Sequence, residues 1–148
     1  MSRAAEKSVS VRRSSTPTSI PRTIGRIVLG AFLVFAGISH LTWSRSEFLA
    51  QVPAWVPLKR DTVVLLSGVA EVGLGGALVG LPGRRITVGW LVALFFVAVF
   101  PGNIAQFVTR TDAFGLDSDR ARGIRLLFQP LLVVWALWSA GTLHRRRR

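Results

Sequence analysis

Glu71 is the one ionisable residue in the middle of a long apolar run, residues 62–83. A carboxyl group in hydrocarbon is costly, so it is a functional candidate by default. Three and four positions away, on the same helical face, stand Ser67, Gly68 and Gly75. These are small enough to let another helix approach closely. His40 lies near the end of an earlier apolar run, with Ala36 and Gly37 on its face. Asn103 and Gln106 are spaced i,i+3 just after Pro101-Gly102, and Gln129 immediately precedes Pro130. An imidazole and a carboxyl side by side can relay a proton or hydrogen-bond the oxygens of a ligand. An amide can orient that ligand, and the two prolines free backbone carbonyls in a manner that suits a cavity wall. The candidate ligand-binding set is therefore His40, Glu71, Asn103 and Gln129. A competing reading has the same groups hydrogen-bonding across helices as glue, at about 0.6 kcal/mol each.

The elements that must position these residues follow from the charge pattern. The chain has 148 residues, half of them hydrophobic, with a mean hydropathy of +0.45. Four segments are almost free of charge: residues 27–44, 62–83, 86–109 and 126–143. About 20 apolar residues in a helix cross a hydrocarbon core of roughly 30 Å. None of the four alternates polar and apolar residues as a barrel strand does, and residues 86–99 lack the polar stripe of a soluble helix. The expectation is an all-α, four-transmembrane-helix bundle with helices at about 24–43, 62–81, 86–109 and 125–143. Residues 23–143 form the membrane domain. Residues 1–22 read as a disordered basic cytoplasmic tail, because Pro17 and Pro21 interrupt any long helix there, and residues 144–148 as a second basic tail. The first apolar run is longer than the core of a signal peptide and ends without a small-residue cleavage site, so it reads as a retained helix.

The 19 Lys and Arg residues against 7 acids give a formal net charge of +12. With the N-terminus inside, 12 basic residues fall on the inner side and 7 on the outer. The positive-inside rule then places both termini in the cytoplasm, N-in and C-in, as an even number of spans requires. In that orientation His40, Asn103, Gln106 and Gln129 all lie near the outer boundary, with Glu71 slightly deeper. Trp43 and Trp55 mark the outer interface, Trp90 and Trp138 the inner one, and Trp135 reads as lipid-facing filler. Between the first two helices, Phe48 to Pro57 is apolar, too short to span and interrupted by Pro53 and Pro57. This Pro/Trp segment belongs at the outer interface, as an anchor or as a lid on the polar layer. The stretch from Arg110 to Arg125 mixes both signs of charge and reads as a solvated loop.

Several classes of function drop out. With no Cys there is no disulfide scaffold, thiol redox centre or cysteine zinc site. Two His are too few for a di-haem bundle, no spacing suits a metal, and no P-loop, nucleophile elbow or HExxH is present. The basic ends suit the anionic lipid heads of a bilayer, which leaves nucleic acid without a role.

Four motifs taken together resemble the DoxX family: Gly30 to His40 (GAFLVFAGISH), Val52 to Pro57 (VPAWVP), Ser67 to Glu71 (SGVAE) and Phe100 to Ile104 (FPGNI). The resemblance spans roughly residues 24–142. It implies a small four-helix protein of the bacterial cytoplasmic membrane, and it points to His40, Glu71 and Asn103. Gly102 stands where the family often has Ala. Some members are linked to quinone-dependent sulfur oxidation or to oxidative-stress complexes in the membrane. The expected function is an accessory subunit that binds a small apolar molecule, with a quinone as the candidate cofactor, and assists a redox partner protein. Two alternatives stand beside it: a proton-coupled transporter working as a dimer, and a structural or assembly subunit without chemistry. The residues leave open whether the chain is an enzyme or a homo-oligomer.

Overall fold

In hydrocarbon an apolar segment has only itself to satisfy its backbone polar groups, and all four apolar runs become helices. The computed structural model describes residues 18–143. Most of the expected N-terminal tail (residues 1–17), the tail 144–148 and His144 lie outside the described residues. Helix α1 spans Ile20–Leu41, the short α2 Arg45–Leu49, α3 Arg60–Gly80, α4 Arg85–Thr109 and α5 Asp119–Ala140, with one 3-10 turn, Pro82–Arg84, before α4. The described residues contain no strand, and α1, α3, α4 and α5 are each long and apolar enough to cross a membrane.

Two helix starts differ from expectation by four residues or more, and both are matters of helix-end chemistry. α1 begins at Ile20 rather than 24, so residues 20–22 are helix and not tail. Pro21 sits in its first turn, where a missing N–H costs nothing. α5 begins at Asp119, six residues before the expected 125. Ser118 caps it by accepting from the Ala121 N–H at 3.2 Å, and Asp119 sits favourably in the positive first turn. A boundary drawn at the last charge misses such a start, because capping residues are themselves polar.

The four long helices pack in a ring. α1 lies against α3 along its length and α4 against α5. α1 and α5 touch less, and α3 and α4 least. Glycine makes the α1–α3 contact. A Cβ on Gly37 would stand 2.6 Å from the Gly68 carbonyl oxygen, and one on Gly75 2.5 Å from that of Gly30. The two backbones therefore touch at two levels seven residues apart on each helix. The second small-residue stripe of α3, Gly73, Gly76 and Gly80, has nothing within 4 Å of the corresponding positions.

The core fills one half of the ring. Leu29 and Leu33 of α1, Leu78 of α3, Val88, Val92 and Phe96 of α4 and Ala136 of α5 form one buried cluster. It lies in the half that holds the N-terminus of α1 and the C-terminus of α5. Arg26 is buried in the same half and its Nη1 donates to the Leu78 carbonyl at the end of α3, with Val79 O at 3.5 Å. A guanidinium there satisfies carbonyls that have no partner within the helix. Trp135 is half-buried rather than lipid-facing, and its Nε1 donates to Gly25 O at 3.1 Å. Trp43, Trp55, Trp90 and Trp138 are all exposed, two near each end, as an aromatic belt requires. Only 22–39% of each helix's most apolar window is buried inside the bundle. Phe35, Leu66, Leu94, Leu127 and Leu131 face outward, a surface that needs hydrocarbon as its solvent.

The two glycine stripes make opposite predictions. Gly37→Ala puts a methyl group against backbone and should destabilise by about 1–3 kcal/mol, read as an earlier unfolding transition in detergent. Gly76→Ala meets open space and should leave the transition unmoved or raise it slightly.

Candidate functional site

The half of the ring opposite the core is open. It holds a cavity of about 720 Å³ bounded by all four long helices, within the usual size of a small-molecule site. Leu33 and Phe96, members of the buried core cluster, also line it. Its remaining wall is largely apolar, with Val52, Trp55, Phe128 and Leu132 among the lining residues. Two sides reach the flank of the bundle. Phe32 and Phe128 line the cavity between α1 and α5 and are themselves about half exposed. Ala98, exposed, and Val63 line it at the loose α3–α4 contact. These openings face the hydrocarbon rather than the water at the bundle's end.

One polar group of the cavity belongs to α1 and α3. His40 is 6% and Glu71 8% exposed. The Ser67 hydroxyl donates to Val64 O at 2.9 Å, so its oxygen accepts from His40 Nδ1 at 3.1 Å. That arrangement puts a proton on Nδ1 and leaves Nε2 as the acceptor of the neutral ring. Glu71 Oε2 lies 3.4 Å from the same Nδ1, without hydrogen-bond geometry, and is buried with no partner. A buried carboxylate oxygen left unsatisfied is unusual enough to need a reason. The close α1–α3 approach creates this pair: a Cβ on Gly68 would stand 2.9 Å from the Cβ of His40.

The second polar group belongs to α4 and α5. Gln129 is 7% exposed and donates through Nε2 to Phe96 O at 2.7 Å. A carbonyl can only accept, so the Gln129 amide has one orientation, and its Oε1 accepts from Asn103 Nδ2 at 2.9 Å. Pro101 removes the helical donor to Val97 O, four residues earlier, and the carbonyl that Gln129 bonds is the adjacent one of the same turn. The structure brings all four expected site residues, His40, Glu71, Asn103 and Gln129, to one cavity. Gln106 is not part of it. Its Nε2 donates to Thr111 O at 3.3 Å, its own carbonyl accepts from the Thr111 N–H, and it closes the end of α4.

Two segments cover the cavity. The one from α2 to Val56 carries Phe48, which packs on the His40 ring, and the buried Val52. The other is the turn between α4 and α5. It is no freely solvated loop: its last part, from Asp119, is already α5, and Arg122, 5% exposed, ties it down through Asp112 and Asp119. The two segments are joined. Glu47 Oε2 accepts from the Phe114 N–H at 2.7 Å, and the rings of Phe48 and Phe114 meet edge-on at 4.5 Å. Phe114 has φ 57, in the left-handed region that a side chain rarely enters. Its ring contacts hold it there, since the Arg125 guanidinium also lies 4.9 Å from its ring centre.

Sequence reasoning missed Arg125 and Gln51, which also line the cavity and bond to each other, Arg125 Nη2 donating to Gln51 Oε1 at 3.0 Å. A signal for Arg125 was present. Ala121, Arg125, Gln129 and Leu132 repeat at helical spacing and share the cavity face of α5. Gln51, in a short irregular segment, had none.

A family model described as "Domain of unknown function (DUF8561)" matches residues 29–140. That range takes in α3, α4, α5 and most of α1, with every residue of the two polar groups. No curated protein and no solved structure matches the chain.

The two amides should not be equivalent. Gln129→Ala removes two bonds, one to the Phe96 carbonyl and one to Asn103, whereas Asn103→Ala removes only the second. Gln129→Ala should cost about 1–2 kcal/mol and Asn103→Ala about half of that, compared by thermal unfolding in the same detergent.

Proposed function

The chain belongs to the DUF8561 family, whose description assigns no activity, and we propose from the cavity that it is a membrane accessory subunit binding a small, largely apolar molecule drawn from the bilayer. One observation carries this reading: an apolar cavity that opens sideways between helices and holds a buried carboxyl and imidazole whose bonding capacity is not used up. His40 Nε2 and Glu71 are placed to bond a carbonyl or hydroxyl oxygen of the ligand. Asn103, half-buried and lining the same cavity, is placed to orient it. Gln129, fully engaged with Phe96 and Asn103, holds the wall. The size and polarity of the cavity suit a quinone-like head, and the resemblance to the DoxX family supports both that choice and a redox partner protein.

The same proposal places the chain in a bacterial cytoplasmic membrane with both termini in the cytoplasm, supported by the basic residues gathered at the terminal end of the bundle. The covered end of the cavity then faces outward. The chain has no Cys, so Asp117→Cys, at an exposed position of the outer turn, gives a single label site. A membrane-impermeant maleimide should label it in intact cells, and protection until the cells are opened would reverse the orientation.

The ligand reading is tested by mass spectrometry of small molecules that copurify in mild detergent. His40→Ala and Glu71→Gln should each reduce the copurified ligand at least about ten-fold, a loss of roughly 1.4 kcal/mol, with helical content unchanged. Wild-type retention in both variants would overturn it.

A further inference from the structure

Among the described residues Arg125 is the one cation that lines the cavity. It lies six residues into α5, a helix apolar enough to span a membrane. Three arginines at the same end are matched with carboxylates: Arg45 with Asp61, Arg110 with Asp119, and Arg122 with Asp112 and Asp119. Among the described residues Arg125 has no such ion pair. Its contacts are a neutral amide oxygen, Gln51 Oε1 at 3.0 Å, and the Phe114 ring. The amide cannot be turned over, because that would set its NH₂ against the guanidinium, donor to donor. Gln51 Nε2 is therefore a second donor close beside Arg125, and it is buried without a partner.

An arginine near a membrane boundary ordinarily extends its long side chain to the headgroup water. Arg125 instead turns under the lid, into a cavity with apolar walls. There a charge without a counter-ion is expensive, and a guanidinium offers several donors to an oxyanion. Gln51 uses one of them. The opposite requirement, for a long apolar body, is met by the openings at the flank, where Phe32 and Phe128 border the hydrocarbon.

We infer that the ligand of this cavity is an acidic amphiphile, an acyl chain headed by anionic oxygens, with Arg125 as the anchor of the head and the chain leaving between the helices. The inference rests on the proposed function, that the cavity is a ligand site for a largely apolar molecule, and puts an anionic head in place of the quinone-like one. A fatty carboxylate and a single-chain lipid phosphate share this chemistry.

The test is a binding titration by native mass spectrometry in a non-ionic detergent, with palmitate, methyl palmitate and palmitoyl lysophosphatidate as probes. Palmitate should bind at least ten-fold more tightly than its methyl ester, and lysophosphatidate shows whether phosphate is accepted in place of carboxylate. Arg125→Gln should remove the preference for acid over ester, and Arg125→Lys should keep part of it. Arg120→Gln, at an exposed position outside the cavity, should leave it intact, which separates the site from general attraction to a basic protein. Equal binding of acid and ester by the wild-type chain overturns the inference without any variant, as does a preference that survives Arg125→Gln. If acid and ester bind equally and His40→Ala weakens both, the cavity remains a ligand site and only the anionic head is wrong. If neither binds the wild-type chain and no copurified molecule is found, both readings fall.

Discussion

The backbone contact between α1 and α3 is the constraint on which the site depends. Gly30 and Gly37 on one helix and Gly68 and Gly75 on the other leave no room for side chains. Without a hydrophobic drive between helices in lipid, such close packing is what holds two helices together. It also sets the chemistry. His40 and Ser67 each lie within three residues of the Gly37–Gly68 crossing, and Glu71 is one turn below it. Had the helices stood apart at the distance larger side chains impose, the imidazole would not reach both the hydroxyl and the carboxyl. The same glycines that stabilise the pair thus place the three groups that distinguish it from a plain apolar contact.

The cavity is the counterpart of that tight pair. A ring of four helices has four seams, and this ring closes two of them, α1 with α3 and α4 with α5, more firmly than the others. Where large side chains from every helix meet, in the half with Leu29, Leu78, Val92 and Phe96, the ring is filled. In the other half the inward positions carry polar groups, and each looks to a neighbour for its bond. Gln129 bonds both Asn103 and the Phe96 carbonyl and serves the wall, while Asn103 spends only its Nδ2 on that bond. The group on α1 and α3 is less complete, with an oxygen of Glu71 left over. Gln129 is engaged at both ends of its amide and the Glu71 oxygen is not, and that difference separates glue from site more clearly than residue type does.

The helices and the shared depth of His40, Glu71, Asn103 and Gln129 were legible in the sequence because apolarity and the rise per residue are local properties. The residues that a charge count assigns to loops were not. Arg26 and Arg125 look like flanking topology signals, yet one closes the end of α3 and the other lies inside the cavity. Gln106 had the right depth and the wrong rotation: three residues from Asn103 it still turns toward Thr111 and the end of its own helix. Helix starts at Ile20 and Asp119 were hidden by the features that favour them, a proline and a capping serine followed by an acid. Gln51 became visible only through tertiary contact.

The basic excess therefore has two components with different physics. A Lys or Arg near an anionic lipid surface feels a screened field worth about 1 kcal/mol. Arg26 and Arg122, each 5% exposed, and the part-buried Arg125 act at contact distance. Setting those three aside leaves eleven basic residues in the sequence segments read as inner against five in those read as outer, so the direction of the expected orientation bias does not depend on them. The charges that orient the chain and the charges that build its interior are separate sets, and each can vary without the other. A chain free to vary its tails while holding Arg125 fixed against Gln51 and Phe114 would keep the cavity whatever its net charge. The net charge, the first thing the composition offers, accordingly carries no information about what the cavity holds.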